Sequence, residues 1–141
     1  MAIRGMREVN AAINELVAEK NREVKAVYLH GLNQITAAAA VDEGRFRANW
    51  FLTDDAPSTT VTDSTTYTPL TLNDLPFWVL DKTLFFTNNL PYSETLEYGL
   101  YRGVGESGKT VSYGGGIYST QYVGGSVRYT IHGMQQALRN L

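Results

Sequence analysis

Residues 83–99 read TLFFTNNLPYSETLEYG, and this stretch decides the fold because it places a strand, a turn and a helix in succession. The apolar run at residues 83–87 predicts a β-strand, which the two following asparagines end. Pro91 and Gly99 bracket a short amphipathic helix, because proline favours the first helical turn and glycine favours the position after the last one.

A long helix is predicted before this stretch, over residues 4 to about 40, because apolar side chains recur there every three or four residues. The apolar positions are Met6, Val9, Ile13, Leu16, Val24, Val27 and Ile35. Gly31 falls on the same stripe, where it either allows the close approach of another element or marks a break between two helices. A C-terminal helix is predicted from about 127 to 139, with Ser126 as its N-cap residue.

The body of the chain, residues 41–125, is predicted to be rich in β-structure with long loops. Residues 47–53 favour a strand that carries Trp50. Residues 54–66 are polar and predict an exposed loop. Residues 67–72 and 76–80 are short β-like runs, interrupted by Pro69 and Pro76. Residues 100–125 are rich in Gly and Tyr, and they predict an irregular or hairpin region that is a candidate interaction loop.

The chain is therefore predicted to form a single domain over residues 1–141, in the α+β class. We expect the N-terminal helix, or helix pair, at residues 1–40 to pack on a small, mostly antiparallel β-sheet. A short helix should follow the NNLPY segment, and the helix at residues 126–141 should close the chain.

Composition excludes several classes of protein. The chain has no cysteine, which excludes disulfides and thiolate metal sites. Its N-terminus lacks the apolar run of a secretion signal, and no stretch approaches the roughly 18 apolar residues that span a membrane. We therefore expect a soluble protein, made in a reducing cytoplasm, with no membrane partner.

Charge is distributed unevenly along the chain, whose net charge is −2. Residues 51–100 contain one Lys and seven Asp or Glu, which gives this segment a net charge of −6. Because an acidic surface repels phosphates, we do not expect sequence-specific binding of nucleic acid.

One segment, from Gly103 to Thr110, fits the phosphate-loop pattern G-x-x-x-x-G-K-[ST] in full. The run from Phe77 to Asp81 resembles the strand that ends in a metal-binding Asp in such proteins. A phosphate loop must open a helix, however, and the glycine triplet that soon follows Thr110 is incompatible with one. We therefore interpret the segment as a Gly-rich hairpin and expect no nucleotide cofactor.

The other polar residues do not form a catalytic pattern. His30 and His132 each lie in a predicted helix, without a second ligand at metal-binding spacing, so we expect both to face solvent or to cap a helix. No catalytic residue, metal or cofactor is predicted.

Two short segments carry recognisable motifs. One contains Asn88, Asn89, Pro91, Tyr92, Leu96, Glu97, Tyr98 and Gly99. The other, VDEGRFRANW at residues 41–50, contains Gly44, Arg45 and Trp50. In this order and spacing the two segments resemble a family of bacteriophage tail-completion or neck proteins, which includes lambda-type minor tail protein Z. Residues 124–131 fit the same family more loosely.

The resemblance implies a non-enzymatic structural protein of the virion, assembled in the host cytoplasm. Members of the family act at the head-to-tail joint as homo-oligomeric rings around the DNA channel. The implied partners are other copies of the chain and neighbouring neck proteins, such as a head-closure or adaptor protein and the tail terminator or tail tube. Double-stranded DNA would pass through without sequence-specific binding. Three alternatives stay open: a tail terminator that caps the tail tube, a small nucleotide-binding enzyme, and a soluble binding domain.

The resemblance and the charge pattern also suggest roles for individual residues. We expect Glu97 to pair with Arg45 or Arg47, within the fold or across a subunit joint, because the two motif segments carry opposite charges. We also expect an acidic loop to line the channel, where charge of the same sign as phosphate keeps DNA from adhering. The candidate lining residues are Asp54, Asp55 and Asp63. The alternative is that these acids only keep a surface loop soluble.

Overall fold

The computed structural model describes residues 5–39, 44–101, 110–120, 122 and 124–141. Two long helices dominate the described residues, and two short helices and one 3₁₀ turn lie between them along the chain. The helices are α1 (Met6–Ala37), α2 (Arg45–Ala48), α3 (Ser93–Tyr98) and α4 (Ser126–Arg139), and the 3₁₀ turn is Leu72–Asp74.

The described β-structure consists of two antiparallel strand pairs and one isolated parallel bridge between Leu100 and Ile117. The strands are β1 (Trp50–Thr53), β2 (Phe85–Asn88), β3 (Thr110–Tyr113) and β4 (Gly116–Ser119). β1 pairs with β2, so that Trp50 lies opposite Asn88. β3 and β4 form a hairpin with a two-glycine turn, in which both glycines have positive φ angles (55° and 82°), as such tight turns require. The α+β class is confirmed.

Helix α1 passes Gly31 without a break, so the helix-pair alternative is wrong. Gly31 is instead the point at which α4 approaches α1. A Cβ atom at this position would overlap the Met134 sulfur, which explains why a residue that costs a helix about 1 kcal/mol relative to Ala occurs here.

The first half of α1 differs from the expected packing. No residue of α1 before Asn21 is buried, although the apolar stripe begins at Met6. The buried residues of the helix are Asn21, Gly31, Leu32, Ile35 and Thr36. The helix is therefore held to the rest of the described chain by its second half, while its first half presents apolar side chains to solvent.

The core consists of two clusters that share one side chain. The first cluster contains the buried residues Ala39, Phe46, Leu90, Leu96 and Tyr122. The second contains Leu32, Ile35 and Leu75. Trp50 packs against both, and its ring stacks on Phe86 with 4.9 Å between ring centroids. Trp50 therefore joins the α1 side of the core to the segment around α3.

Two sequence expectations for the body are wrong. The strand predicted at residues 47–53 begins only at Trp50, because Gly44 (φ 75°) starts a helical turn that includes residues 47 and 48. The β-like runs at residues 67–72 and 76–80 are not strands. Their backbone groups pair with asparagine side chains instead of with a neighbouring strand.

Three asparagines make this pairing in the same way, each giving a donor and an acceptor to a crossing backbone. Asn33 donates to the Leu70 carbonyl (2.9 Å) and accepts from the Leu70 amide (2.8 Å). Asn21 donates to the Phe77 carbonyl (2.9 Å) and accepts from the Val79 amide (2.8 Å). Asn49 does the same with Thr62, so the polar segment 54–66 is fixed to the fold at this point.

Candidate functional site

The two motif segments meet in one place, which we call the motif junction (residues 44–50 and 88–99). Trp50 and Asn88 face each other across the β1–β2 pair. The Asn88 side chain donates to the Phe46 carbonyl at 3.0 Å and accepts from the Leu90 amide at 3.1 Å. One asparagine therefore ends β2, starts the turn towards α3 and binds α2 at the same time.

Aromatic rings fill the junction. The Phe46 ring contacts Trp50, Tyr92 and Tyr122, with centroid distances of 6.0, 6.1 and 5.6 Å. Leu90 and Leu96 are buried beside it. Three of the motif residues named above are thus brought together around Phe46, namely Trp50, Tyr92 and Leu96.

Backbone geometry accounts for the two motif glycines. Gly44 and Gly99 have φ angles of 75° and 65°, a region that favours glycine. Space is also restricted, since a Cβ atom would lie 2.7 Å from the Thr65 carbonyl oxygen at Gly44 and 2.5 Å from the Tyr118 ring at Gly99. Pro91 lies in the exposed turn, two residues before α3 begins at Ser93, and not in the first helical turn as expected.

The Glu97 carboxylate binds the start of α4. It accepts hydrogen bonds from the Val127 amide (3.2 Å), the Arg128 amide (3.0 Å), the Arg128 Nε (3.2 Å) and the Tyr122 hydroxyl (2.9 Å). Gly125, and not Ser126, occupies the N-cap position and offers no side-chain cap. A buried carboxylate from α3 therefore satisfies amides that the cap residue leaves open, where the helix dipole also favours negative charge.

The predicted partner of Glu97 is corrected by this geometry. Arg128, and neither Arg45 nor Arg47, forms the ion pair, and it does so within the chain. Arg45 pairs with Asp63 at 3.1 Å, while Arg47 donates to carbonyls near the end of α1 and lies over the Tyr67 ring. The two arginines of α2 are thus engaged by α1 and by the segment 62–67, and α4 supplies the cation for α3.

Protonation in this network follows from burial and hydrogen bonding. Desolvation raises the pKa of Tyr122 well above its ordinary value, and the nearby Glu97 charge adds to the rise, which outweighs the lowering by a hydrogen bond from Ser126. A hydrogen bond to Tyr118, together with the Glu97 contacts, raises the pKa of Arg128. The network therefore holds a neutral phenol and an ion pair side by side, with donors and acceptors matched.

The candidate channel residues lie at the surface. Asp54 and Asp55 are exposed in the bend after β1. The Asp63 side chain is 99% exposed, although it pairs with Arg45. Asn89 donates to the carbonyls of Ser58 and Thr60, so the segment that carries these acids is also bound to the motif junction.

The phosphate-loop match falls mostly at residues 103–109, outside the described residues. Its last residue, Thr110, begins strand β3, whereas a phosphate loop would open a helix there. The run from Phe77 to Asp81 is not a strand, and the Phe77 ring is 87% exposed. These described parts do not have the geometry of a nucleotide site.

The two histidines are solvent-exposed, as expected. They lie along an apolar groove of about 510 Å³ between the second half of α1 and α4. No group of three His, Asp or Glu residues in the described ranges is placed to hold a metal ion, and no described helix is long and apolar enough to cross a membrane.

The roles of Asn21, Asn33 and Asn49, which bind backbone groups of the segments around residues 78, 70 and 62, were not predicted from the sequence. Their signal was present, because asparagine is unfavourable inside a helix and its side chain tends to bind backbone groups. Asn21 lies at the middle of α1 and Asn33 in its second half, and both are oriented to the body. Nothing in the local pattern identified which backbone each would bind.

Comparison with known proteins adds no assignment. No protein-family model matches the chain, and no curated protein or solved structure matches it.

Proposed function

We propose that the chain is a structural protein of the bacteriophage neck, which acts in tail completion as a homo-oligomeric ring around the DNA channel. The proposal rests on the resemblance of residues 41–50 and 83–99 to that family. No substrate or cofactor enters into it.

The observation that carries the proposal is that the described motif residues have structural roles in the fold. The backbone adopts positive φ angles at Gly44 and Gly99. The side chains of Asn88 and Glu97 form hydrogen bonds to neighbouring elements of the fold, and Trp50 packs against both core clusters. Motif residues with such roles specify a shape. This is what a family related by assembly, and not by catalysis, would have in common.

The acidic surface fits the same proposal. Residues 51–100 have a net charge of −6, and Asp54 and Asp55 are exposed. A wall of this sign would keep contacts with the DNA backbone weak, whereas Lys or Arg side chains would release counterions and hold the DNA.

Assembly can be tested with the purified chain and with virus particles. We expect native mass spectrometry and electron microscopy to show a closed ring, and particles made without the protein to carry heads and tails that do not join. A chain that stays monomeric at every concentration, together with normal joining in its absence, would contradict the proposal.

The channel role of the acidic loop needs a separate variant. Asp54→Lys combined with Asp55→Lys changes the charge by four units and leaves the Arg45–Asp63 pair intact. We expect particles that assemble but eject DNA slowly. The control is Asp81→Lys with Glu94→Lys, an equal change at two other exposed acids of the same segment. Equal ejection rates for both variants would exclude this loop from the channel wall.

Calorimetry with ATP and Mg²⁺ tests the alternative from another class. The proposal expects no heat of binding. Saturable binding that Lys109→Ala abolishes would favour the nucleotide-binding enzyme.

A further inference from the structure

The first half of α1 exposes a continuous apolar ridge. Met6, Val9, Ile13 and Leu16 recur at intervals of three, four and three residues, and their exposed fractions are 45%, 54%, 53% and 54%. These intervals place all four on one side of α1, over 11 residues or roughly 15 Å of its length. An exposed apolar patch of this extent marks an interaction surface.

The residues beside the ridge leave it accessible. Its flanks, at the positions that border the seam of a coiled coil, are Asn10, Ala12 and Val17, which are short and uncharged, and Glu19 at the end nearer the groove. The charged residues Arg7, Glu8 and Glu15 point to the other side of the helix. A partner surface can therefore approach the four ridge residues closely. Lys20, the next residue in the same line, ends the ridge and pairs with Glu23 at 3.1 Å.

The groove between α1 and α4 is the complementary shape. It has a volume of about 510 Å³, and much of its lining is small, including Ala26, Gly31, Gly133 and Ala137. A Cβ atom built at Gly133 would meet no atom within 4 Å, which shows how open the floor is on the α4 side.

Ridge and groove lie on the same side of α1. Val27 and His30 line the groove 14 residues after Ile13 and Leu16, and 14 residues is close to four helical turns. This side of α1 packs against α4 in its second half and is bare in its first half. Helix α1 therefore already binds the amphipathic helix α4 with the same side that it leaves uncovered further towards its start.

We infer that the ridge of one copy docks into the α1–α4 groove of a second copy of this chain. Helices that bind apolar grooves use anchors three and four residues apart, as this ridge does. Residues 6–20 have a net charge of −1, and the groove lining contains no Lys, Arg, Asp or Glu, so charge does not oppose the contact.

Pairing of two ridges with each other would bury less of the exposed apolar surface than docking of a ridge into a groove. The ridge is shorter than two heptads, whereas a coiled coil typically has three to four, and a pair of ridges would leave both grooves open. A ridge-in-groove contact joins two different surfaces, and only a contact of that kind repeats around a ring of more than two copies. The inference thus deepens the proposed ring function and rests on it for the closure of the ring.

The absence of cysteine from the chain allows a crosslinking test. Ile13→Cys and Gln34→Cys are made as separate single variants, one on the ridge and one on the groove lining. The two positions are 21 residues apart on one unbroken helix, or about 31 Å, so no disulfide or short bismaleimide can join them within a chain. The variants are crosslinked alone and as a mixture.

We expect dimers from the mixture and none from either variant alone. Glu15→Cys replaces Ile13→Cys in the control mixture, because Glu15 lies on the other side of the same helical turns, and this mixture should not crosslink. Crosslinking of Ile13→Cys alone would show ridge-on-ridge pairing and overturn the inference. Equal crosslinking with Glu15→Cys would overturn it as well.

A charge on the ridge gives an independent readout. Ile13→Asp should shift native mass spectra to the monomer with unchanged circular dichroism, while the neighbouring exposed substitution Asn14→Asp should leave the oligomer intact. An oligomer that persists in both variants would refute the docking contact and leave the ring proposal standing. A wild-type chain that is monomeric throughout would instead count against the ring itself.

Discussion

Asn49 binds Thr62 in the way that a neighbouring β-strand would. Its side-chain amide donates to the Thr62 carbonyl, and its side-chain oxygen accepts from the Thr62 amide, both at 2.9 Å. The same amide also donates to the Arg45 carbonyl at 2.8 Å, and the side chain is fully buried. One side chain thus ties α2 to a segment that forms no ladder of its own.

Asn49→Asp should destabilise the fold by about 2–3 kcal/mol, because the new carboxylate oxygen would face two carbonyl oxygens in a buried site. The free energy of unfolding in urea measures the change. Asn14→Asp, at an exposed position of α1, should change it by less than about 0.5 kcal/mol. A similar small effect at Asn49 would mean that Thr62 is not held by this side chain.

Glu97→Gln should weaken the attachment of α4. The amide nitrogen of Gln would face donors, and the charge that favours the helix start would be lost, so we expect a loss of about 1–3 kcal/mol. Glu94→Gln, at an exposed position three residues earlier in α3, is the matched control and should have little effect. Equal unfolding energies for the two variants would contradict the capping role.

The sequence predicted those parts of the fold that follow from local pattern. The helices α1 and α4 have regular apolar spacing, and β2 and α3 are bounded by residues that end or start an element, so all four occur close to their predicted positions. The prediction of β-structure for residues 67–72 and 76–80 was wrong for a physical reason. An asparagine side chain can replace a β-ladder, and only the tertiary structure brings Asn33 next to Leu70.

The same reason explains the partner of Glu97. The opposite charges of the motif segments predicted an arginine of α2 as the ion-pair partner of Glu97. Opposite charge does not, however, determine the direction in which a side chain points. The α2 side chains are oriented to the end of α1 and to Thr62 and Asp63, whereas α4 places two backbone amides and a guanidinium against the carboxylate. The exposure of the α1 ridge could likewise not be predicted from the sequence, because apolar periodicity does not distinguish packing within a chain from packing between chains.

Stability should fall at high pH through Tyr122. Burial raises its pKa above the ordinary value of 10.0, so the stabilising contribution of the neutral phenol is complete below pH 10 and is lost as pH rises towards the folded-state pKa. The loss from this one group is at most about 1.4 kcal/mol per pH unit. Tyr122→Phe removes the titration, so the difference in unfolding energy between wild type and variant should shrink from pH 9 to pH 11. A constant difference would show that Tyr122 ionises equally in both states.

Two glycine substitutions separate helix propensity from packing at the α1–α4 contact. Gly133→Ala should stabilise the monomer by about 1 kcal/mol, because alanine is the better helix former and the added methyl group meets no atom within 4 Å. Gly31→Ala gains the same propensity but overlaps Met134, so we expect a net loss of about 1–3 kcal/mol. Unfolding is measured at concentrations where the chain is monomeric. In a Met134→Ala background the same change at Gly31 should become neutral or stabilising, since the obstructing side chain is gone. Destabilisation that persists there would assign the effect to the α1 backbone and not to the contact with α4.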